Sequence, residues 1–331
     1  MVDVCRLAGV SKATVSRVLN NTGPVKESTR QAVYEAIQTL NYRPNGLAQA
    51  LASHRSDTVG LILSNFTGSY FGTLLRQATR SADEAGKQLI VTDGHDDPKR
   101  ELDAVNMLVD RRCDAIVLYS RHMPDDQLVQ LIRELPVPLI AMNRYLQAIP
   151  DRSIALAQVS AAHMATEYLL NLGHRRIACI TRPVHQPTAQ ARLQGYREAL
   201  LARGVKVEET MIEEGANTIP SGYEACKKLL DRVSFSALVC FTDYMAEGAY
   251  RALSEKGLRI PDDVSVFGFD DAPVAAYMVP ALSTIHVPIE EMTRTAFEQA
   301  VRLAAGKEAP PIAPFQGRMV LRESVSVVRK N

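Results

Sequence analysis

The sequence predicts a small all-helical unit joined by a linker to an α/β body of two doubly wound lobes. Three observations carry this. Residues 1–40 hold three short helical stretches separated by polar turns. Residues 43–57, "RPNGLAQALASHRSD", break that pattern. From Thr58 onward apolar strands alternate with amphipathic helices, the arrangement of parallel sheets covered on both faces.

In "CRLAGVSKATVSRVLNN" (5–21) a first helix runs through Leu7 and Ala8 to Gly9, whose access to positive φ suits a tight helix–helix turn. Ser11 caps a second helix, with Val15, Val18 and Leu19 on its inner face. Lys12, Ala13, Ser16 and Arg17 are left on the outer side near its start. "ESTRQAVYEAIQTLNY" supplies a third helix with Val33, Ile37 and Leu40 facing inward. The spacing fits a helix-turn-helix, in which early outward residues of the second helix meet base edges. An ordinary helical hairpin has the same spacing. In the linker, Pro44 disfavours helix at Arg43, Asn45 is a capping residue, and "GLAQALA" makes two turns. That is far below the ~12–15 residues at which an isolated helix is even marginal in water, so the segment orders only when something holds it.

"TVGLILS" reads as a buried parallel strand. A helix over 70–85, closed by Gly86, and the strand "QLIVTDG" follow. The alternation continues with helix 98–111, "DAIVLYS", helix 125–134 and "PLIAMNR". After a polar stretch come helix 160–172, "RIACITR", helix 188–203, helix 221–232, "ALVCFTD", helix 244–256 and "VSVFGFDD". The break near 150–160 divides two lobes. Ligands in such folds sit at the carboxyl ends of the strands, and those ends are polar here: "SNFTGSYF", "TDGHDD", "YSRHM", "MNRY", "TRP", "TD" and "FDD". The cleft between the lobes is therefore the expected binding site.

Composition narrows the class. With 46% apolar and 23% charged residues and no run near the ~18 apolar residues of a membrane helix, the chain reads as soluble and globular. It shows no secretory signal, and its five scattered cysteines fit free thiols in a reducing cytoplasm. Up to Ser56, seven Lys and Arg face three Asp and Glu, a surplus of four, while the remainder carries a deficit of three. A basic small end on an acidic body suits a polyanion, although a solvated charged surface has the same composition. No catalytic constellation appears: no G-x-S-x-G, no G-x-G-x-x-G after a strand, no P-loop and no histidine–carboxylate metal spacing. "HDD" (95–97) and "FDD" (269–271) read as capping turns or polar ligand contacts rather than metal ligands. No enzyme activity, metal or cofactor is expected.

"AGVSKATVSRVLNN" and "VKESTRQAVYEAIQTLNYRPNGLAQAL" resemble the headpiece and hinge of the LacI/GalR family of sugar-operon repressors. "LGHRRIACI", "TAQARLQGYREAL", "SALVCFTDYMAEGAYRAL", "IPDDVSVFGFDDAP" and "VPALSTIHVPIEEM" extend the resemblance over nearly the whole chain. "RRCDAIVLYSRHMPDDQL" and "MNRYL" are most similar to galactose and β-glucoside repressors. The resemblance implies a three-helix headpiece (1–44), a hinge helix (45–57) and a periplasmic-binding-protein-like core. In that core, 58–156 plus 286–313 form the N-terminal lobe and 157–285 plus 314–331 the C-terminal lobe.

By the same resemblance, Lys12 and Ala13 select base pairs and Arg17 reaches a guanine edge, a pairing suited to guanidinium geometry. Ser11, Thr14, Ser16, Asn20, Thr29 and Asn45 lie against phosphates and sugars. Ala48 and Leu51 enter the minor groove, the leucine wedging a base step. In the cleft, Arg192 grips sugar hydroxyls, Asp270 accepts their hydrogens, and Asn143 and Thr188 add polar contacts. Ser64 ends the first strand, and Tyr70 and Phe71 form a lid or stacking surface; core packing is the competing reading of these two rings. Thr242 and Asn217 stand where relatives carry an asparagine and an aromatic. Ala157 replaces a common aspartate near the lobe crossing, and relatives carry a capping residue upstream of Asp3, where this sequence has Met1 and Val2.

The implied protein is a cytoplasmic homodimer that represses a carbohydrate-utilisation operon. It binds double-stranded operator DNA under the control of a small carbohydrate effector and has no membrane partner. A nucleobase or other non-sugar effector, and a transport-type sugar-binding protein, are the alternatives.

Overall fold

The computed structural model describes residues 1–19, 23–42, 56–64, 66 and 68–328. They form two compact units, Met1–Asp57 and Thr58–Asn331. Asn20, Asn45, Ala48 and Leu51, and with them nearly all of the expected hinge helix, lie outside the described residues.

In the small unit, α1 (Val2–Ala8), α2 (Lys12–Leu19) and α3 (Glu27–Thr39) surround a core of Val4, Val15, Val18, Val33 and Ala36. Gly9 closes α1 at φ 66°, the left-handed conformation expected of it. Met1 takes the capping position of α1 and makes no side-chain cap bond. One inward assignment is corrected. Leu40 is 42% exposed, because α3 ends at Thr39 and the chain leaves the helical path there. Ala36 fills the core in its place.

The larger unit contains two parallel sheets. The first is built from β1 (Thr58–Leu63), β2 (Gln88–Asp93), β3 (Ala115–Tyr119), β4 (Leu139–Met142) and β5 (Ser153–Ile154), in the order β2-β1-β3-β4-β5. Val59 lies beside Leu89 on one side and Ala115 on the other, so β1 is central and all six of its residues are buried. This is why its sequence is apolar without alternation. The connecting helices are α4 (Gly68–Glu84), α5 (Pro98–Asp110) and α6 (Asp125–Glu134). Asp97 caps α5 by accepting from the Arg100 amide at 2.9 Å, and Asp96 pairs with Arg121 at 3.1 Å. The "HDD" segment thus serves a helix cap and an ion pair.

The second sheet holds β6 (Ile177–Thr181), β7 (Ile212–Glu214), β8 (Ala237–Cys240) and β9 (Ser265–Phe267), in the order β7-β6-β8-β9. Helices α7 (Gln158–Asn171), α8 (Pro187–Ala202), α9 (Ile219–Arg232) and α10 (Asp243–Glu255) cover it. The chain then returns through β10 (Thr284–His286), and α11 (Ile289–Ala304) packs on α4, β3 and β4 of the first lobe. A last strand, β11 (Arg318–Val320), pairs antiparallel with β10. Both sheets reverse direction of strand order beside their first strand, β1 and β6. At such a switch point the loops diverge and leave a crevice. No described helix is long and apolar enough to cross a membrane.

Candidate functional site

The small unit presents one outward helical face. Ser11 accepts the Thr14 amide at 3.2 Å, and its hydroxyl lies 2.9 Å from that of Thr14, so the start of α2 is capped locally. With Val15 and Val18 buried behind, Lys12, Ala13 and Arg17 are exposed together, and Thr14 and Ser16 are half-buried beside them. Neither Lys12 nor Arg17 has a carboxylate partner among the described residues, so both charges face outward. Thr29 sits half-buried in the first turn of α3.

In the larger unit, seven of the nine expected effector residues line one cleft: Tyr70, Phe71, Asn143, Arg192, Asn217, Thr242 and Asp270. They come from both lobes, Tyr70 and Phe71 from the start of α4, Arg192 from α8, and the others from segments that follow strands. Two do not join them. Ser64 is fully buried and donates to the Tyr119 carbonyl at 3.1 Å, which places it beneath the site. Thr188 lies in the first turn of α8 and lines an adjoining cavity of about 640 Å³ with Asn143 and Gln158.

One wall is aromatic. The rings of Phe71 and Tyr119 meet edge-on at 5.2 Å, Tyr119 donates to the Tyr70 hydroxyl at 3.3 Å, and Arg121 stacks over Phe71 at 5.0 Å. Burial first, then Tyr119, pushes the Tyr70 hydroxyl well above its ordinary pKa. The two rings therefore both pack and face the cleft.

The opposite wall is polar. Arg192 donates from Nε to Gln158 at 2.7 Å and from Nη1 to the Phe241 carbonyl, and lies over the Phe269 ring at 3.5 Å. Its Nη2 faces Asp270 Oδ1 at 3.8 Å. Burial raises the Asp270 carboxyl to about 6, against the pull of Arg192, Arg182 and Arg121. Thr242 caps α10 by accepting the Met245 amide at 3.3 Å, so one residue serves both helix and cleft. Asn143, Asn217 and Asp270 hold φ values of 67°, 57° and 113°, conformations kept only where the surroundings enforce them. Asp243 lies behind this wall, accepting from Thr284 and the Ala272 amide, each at 2.7 Å.

Arg121, Arg182, Tyr119 and Tyr244 also line the cleft. The first two end the strands written "YSR" and "TRP", so the carboxyl-end rule contained the signal that marks them. Tyr244 accepts the Ser69 amide at 2.7 Å, joining α10 to the start of α4 across the opening. The centre is narrow, about 30 Å³, room for roughly two water-sized spheres. A second cavity of about 410 Å³ adjoins it and shares Tyr70, Tyr244 and Asp270. Among the described residues no cluster of His, Cys, Asp and Glu is placed to hold a metal ion.

Residues 1–45 match the bacterial regulatory proteins of the lacI family, and residues 166–325 match the periplasmic binding protein-like domain. The chain is 39% identical over 328 residues to the HTH-type transcriptional regulator AscG of Escherichia coli (strain K12), covering 98% of each chain. The chain belongs to the LacI family. As a LacI-family member it is a DNA-binding transcriptional regulator with a ligand-binding core, not an enzyme. Its backbone is similar to the Lac repressor dimer bound to operator and the anti-inducer ONPF, with a TM-score of 0.90, 28% identity and 98% of both chains covered. It is also similar to the complex of the transcriptional regulator CelR with cellobiose, with a TM-score of 0.75, 33% identity, and 97% of this chain and 98% of the other covered. The LacI-family architecture accounts for both halves: a headpiece with a basic outward helix, and a two-lobed core whose strand ends converge.

Proposed function

We propose that this regulator is a cytoplasmic repressor of a carbohydrate-utilisation operon, and that a small carbohydrate between the lobes sets its operator affinity. The observation that carries this is the convergence of Arg192, Asp270, Asn143 and Asn217 opposite an aromatic wall. Paired donors and acceptors beside an apolar platform suit a polyhydroxylated ring. A ring does not fit a centre of about 30 Å³, so binding requires the lobes to part or shift. A ligand that prefers one lobe arrangement changes the population of that arrangement, and by linkage the DNA affinity tied to it.

Lys12, Ala13 and Arg17 are assigned to base edges, and Ser11, Thr14, Ser16 and Thr29 to phosphates. Asn20, Asn45, Ala48 and Leu51 complete that assignment from the family resemblance. Two headpieces of a homodimer would read a pseudo-palindrome. Dimerisation is supported by Tyr277 and Val279, large apolar side chains that are 84% and 91% exposed within three residues of each other. The lobes are assigned as 58–156 with 286–313 and 157–285 with 314–331. A transport-type role is set aside, because residues 1–45 carry the regulator's headpiece.

The test is operator selection from random duplexes, followed by anisotropy titration of the selected duplex with monosaccharides, β-glucosides and purines. A sugar that changes DNA affinity supports the reading. A response to purines alone, or to no carbohydrate, overturns the sugar assignment.

A further inference from the structure

Three arginines line the cleft: Arg121 from the end of β3 in one lobe, Arg182 from the end of β6 and Arg192 from α8 in the other. They are only 5%, 7% and 7% exposed. Among the described residues of the lining the sole carboxylate is Asp270. The lining thus carries two more cations than anions. Even when Asp96, which pairs with Arg121 from outside the lining, is counted, one cation is left over.

Their partners differ. Arg192 spends Nε and Nη1 on Gln158 and Phe241, leaving Nη2 toward Asp270. Arg121 bonds Asp96 through Nη1, while its Nε has no partner. Arg182 has neither a hydrogen bond nor an ion pair from its guanidinium among the described residues, and its Nε is fully buried. A buried unpaired cation is among the costliest features a protein retains. Burial first, then Arg121, pushes Arg182 down to about 10. Arg121 and Arg182 thus bring like charges from opposite lobes to one cleft.

A neutral sugar supplies hydroxyls but no charge, so it leaves that surplus in place. An anion bridging Arg121 and Arg182 removes it through charge-assisted hydrogen bonds to both lobes. The amides of Asn143 and Asn217 each leave one buried polar atom unpartnered, Nδ2 and Oδ1. A donor and an acceptor left open beside the cations ask for hydroxyls on the same ligand. We infer that the effector is an anionic carbohydrate, carrying a phosphate monoester or a carboxylate that seats between Arg121 and Arg182. This rests on the cleft being the effector site.

The test is calorimetric titration of the full chain with glucose 6-phosphate, galactose 6-phosphate, a 6-phospho-β-glucoside, glucuronate and galacturonate, alongside glucose, galactose, methyl β-glucoside and inorganic phosphate. At least one anionic sugar should bind about tenfold or more tightly than its neutral parent. The phosphate and uronate arms tell the two anions apart. Arg182→Gln should abolish the preference, and Arg182→Lys, which keeps the charge, should retain part of it. Circular dichroism melts of both variants establish that they fold. Neutral sugars binding as well as the anionic ones, with Arg182→Gln unchanged, overturns the anion inference and leaves the effector site standing. Inorganic phosphate binding as tightly as every sugar phosphate overturns the carbohydrate part. Binding by no carbohydrate at all overturns the carbohydrate reading on which this inference rests.

Discussion

Arg192 Nη2 stands 3.8 Å from Asp270 Oδ1 across the polar wall of the cleft, while the rest of the guanidinium is committed to Gln158 and the Phe241 carbonyl. One side chain is thus both a brace for the second lobe and a donor aimed at the ligand. Removing it has two separable effects.

Arg192→Ala should leave operator binding within about twofold of the parent but make it unresponsive to effector, since each charge-assisted hydrogen bond contributes on the order of 1.5–3 kcal/mol. The same change strands Gln158 Oε1 and a buried carbonyl, so the core should unfold at lower urea concentration. Anisotropy titration with and without effector reads the first effect, and urea denaturation the second. A variant that still responds at the same effector concentration would remove Arg192 from the site.

Asp270 makes the core's stability pH-dependent. Its folded carboxyl, near 6, lies above its ordinary 3.8, so the folded state holds the proton more tightly than the unfolded one. The resulting stability is complete below about pH 3.8 and is lost as pH rises through about 6, a swing of about 3 kcal/mol. Urea unfolding at pH 4.5 and 7.5 should therefore show a loss that Asp270→Asn reduces. Equal slopes in parent and variant would count against a raised carboxyl.

Arg17→Ala removes an exposed guanidinium with no carboxylate partner among the described residues. It should weaken binding to the selected operator by roughly 1–3 kcal/mol, with little change on random duplex. The melting temperature and effector affinity of the core should not move. Retained discrimination between operator and random DNA would exclude Arg17 from base reading.

Gly268 is required by Asp243. A Cβ there would lie within 2.2 Å of Asp243 Oδ1, the atom that accepts from Thr284. Gly268→Ala should cost on the order of 1–3 kcal/mol through displacement of a buried, fully bonded carboxyl. Thermal unfolding reads it directly, and an unchanged transition would mean that the strand end yields without strain.

Ala157 occupies the capping position of α7 with no side-chain acceptor. Ala157→Asp should stabilise the core by about 0.5–2 kcal/mol by accepting a first-turn amide. A melting temperature unchanged or lowered at neutral pH would show that the crossing does not accept the carboxylate.

Much of this architecture was legible from local pattern alone. Strands buried on both faces must be apolar throughout, so "TVGLILS" and "AIVLY" declare themselves wherever they end up. The outward placement of Lys12, Ala13 and Arg17 follows from the 3.6-residue period that buries Val15 and Val18. Helix α11 carries the period in Ile289, Met292, Ala296, Phe297 and Ala300 but is not among the helices read from local pattern, and only the family resemblance assigned 286–313 to the first lobe. Strands β5, β7, β10 and β11 are two or three residues long, too short to carry a period, and exist only because distant partners lie beside them. The cleft divides in the same way. Sequence determines which polar residues stand at strand ends. Strand order and the crossings between lobes decide which of them meet: Ser64 is turned under Tyr119, whereas Arg121 and Arg182, from strands more than 50 residues apart, are brought to face one cavity. Convergence of that kind is a non-local property, fixed by packing two sheets through shared crossovers, and no local periodicity records it.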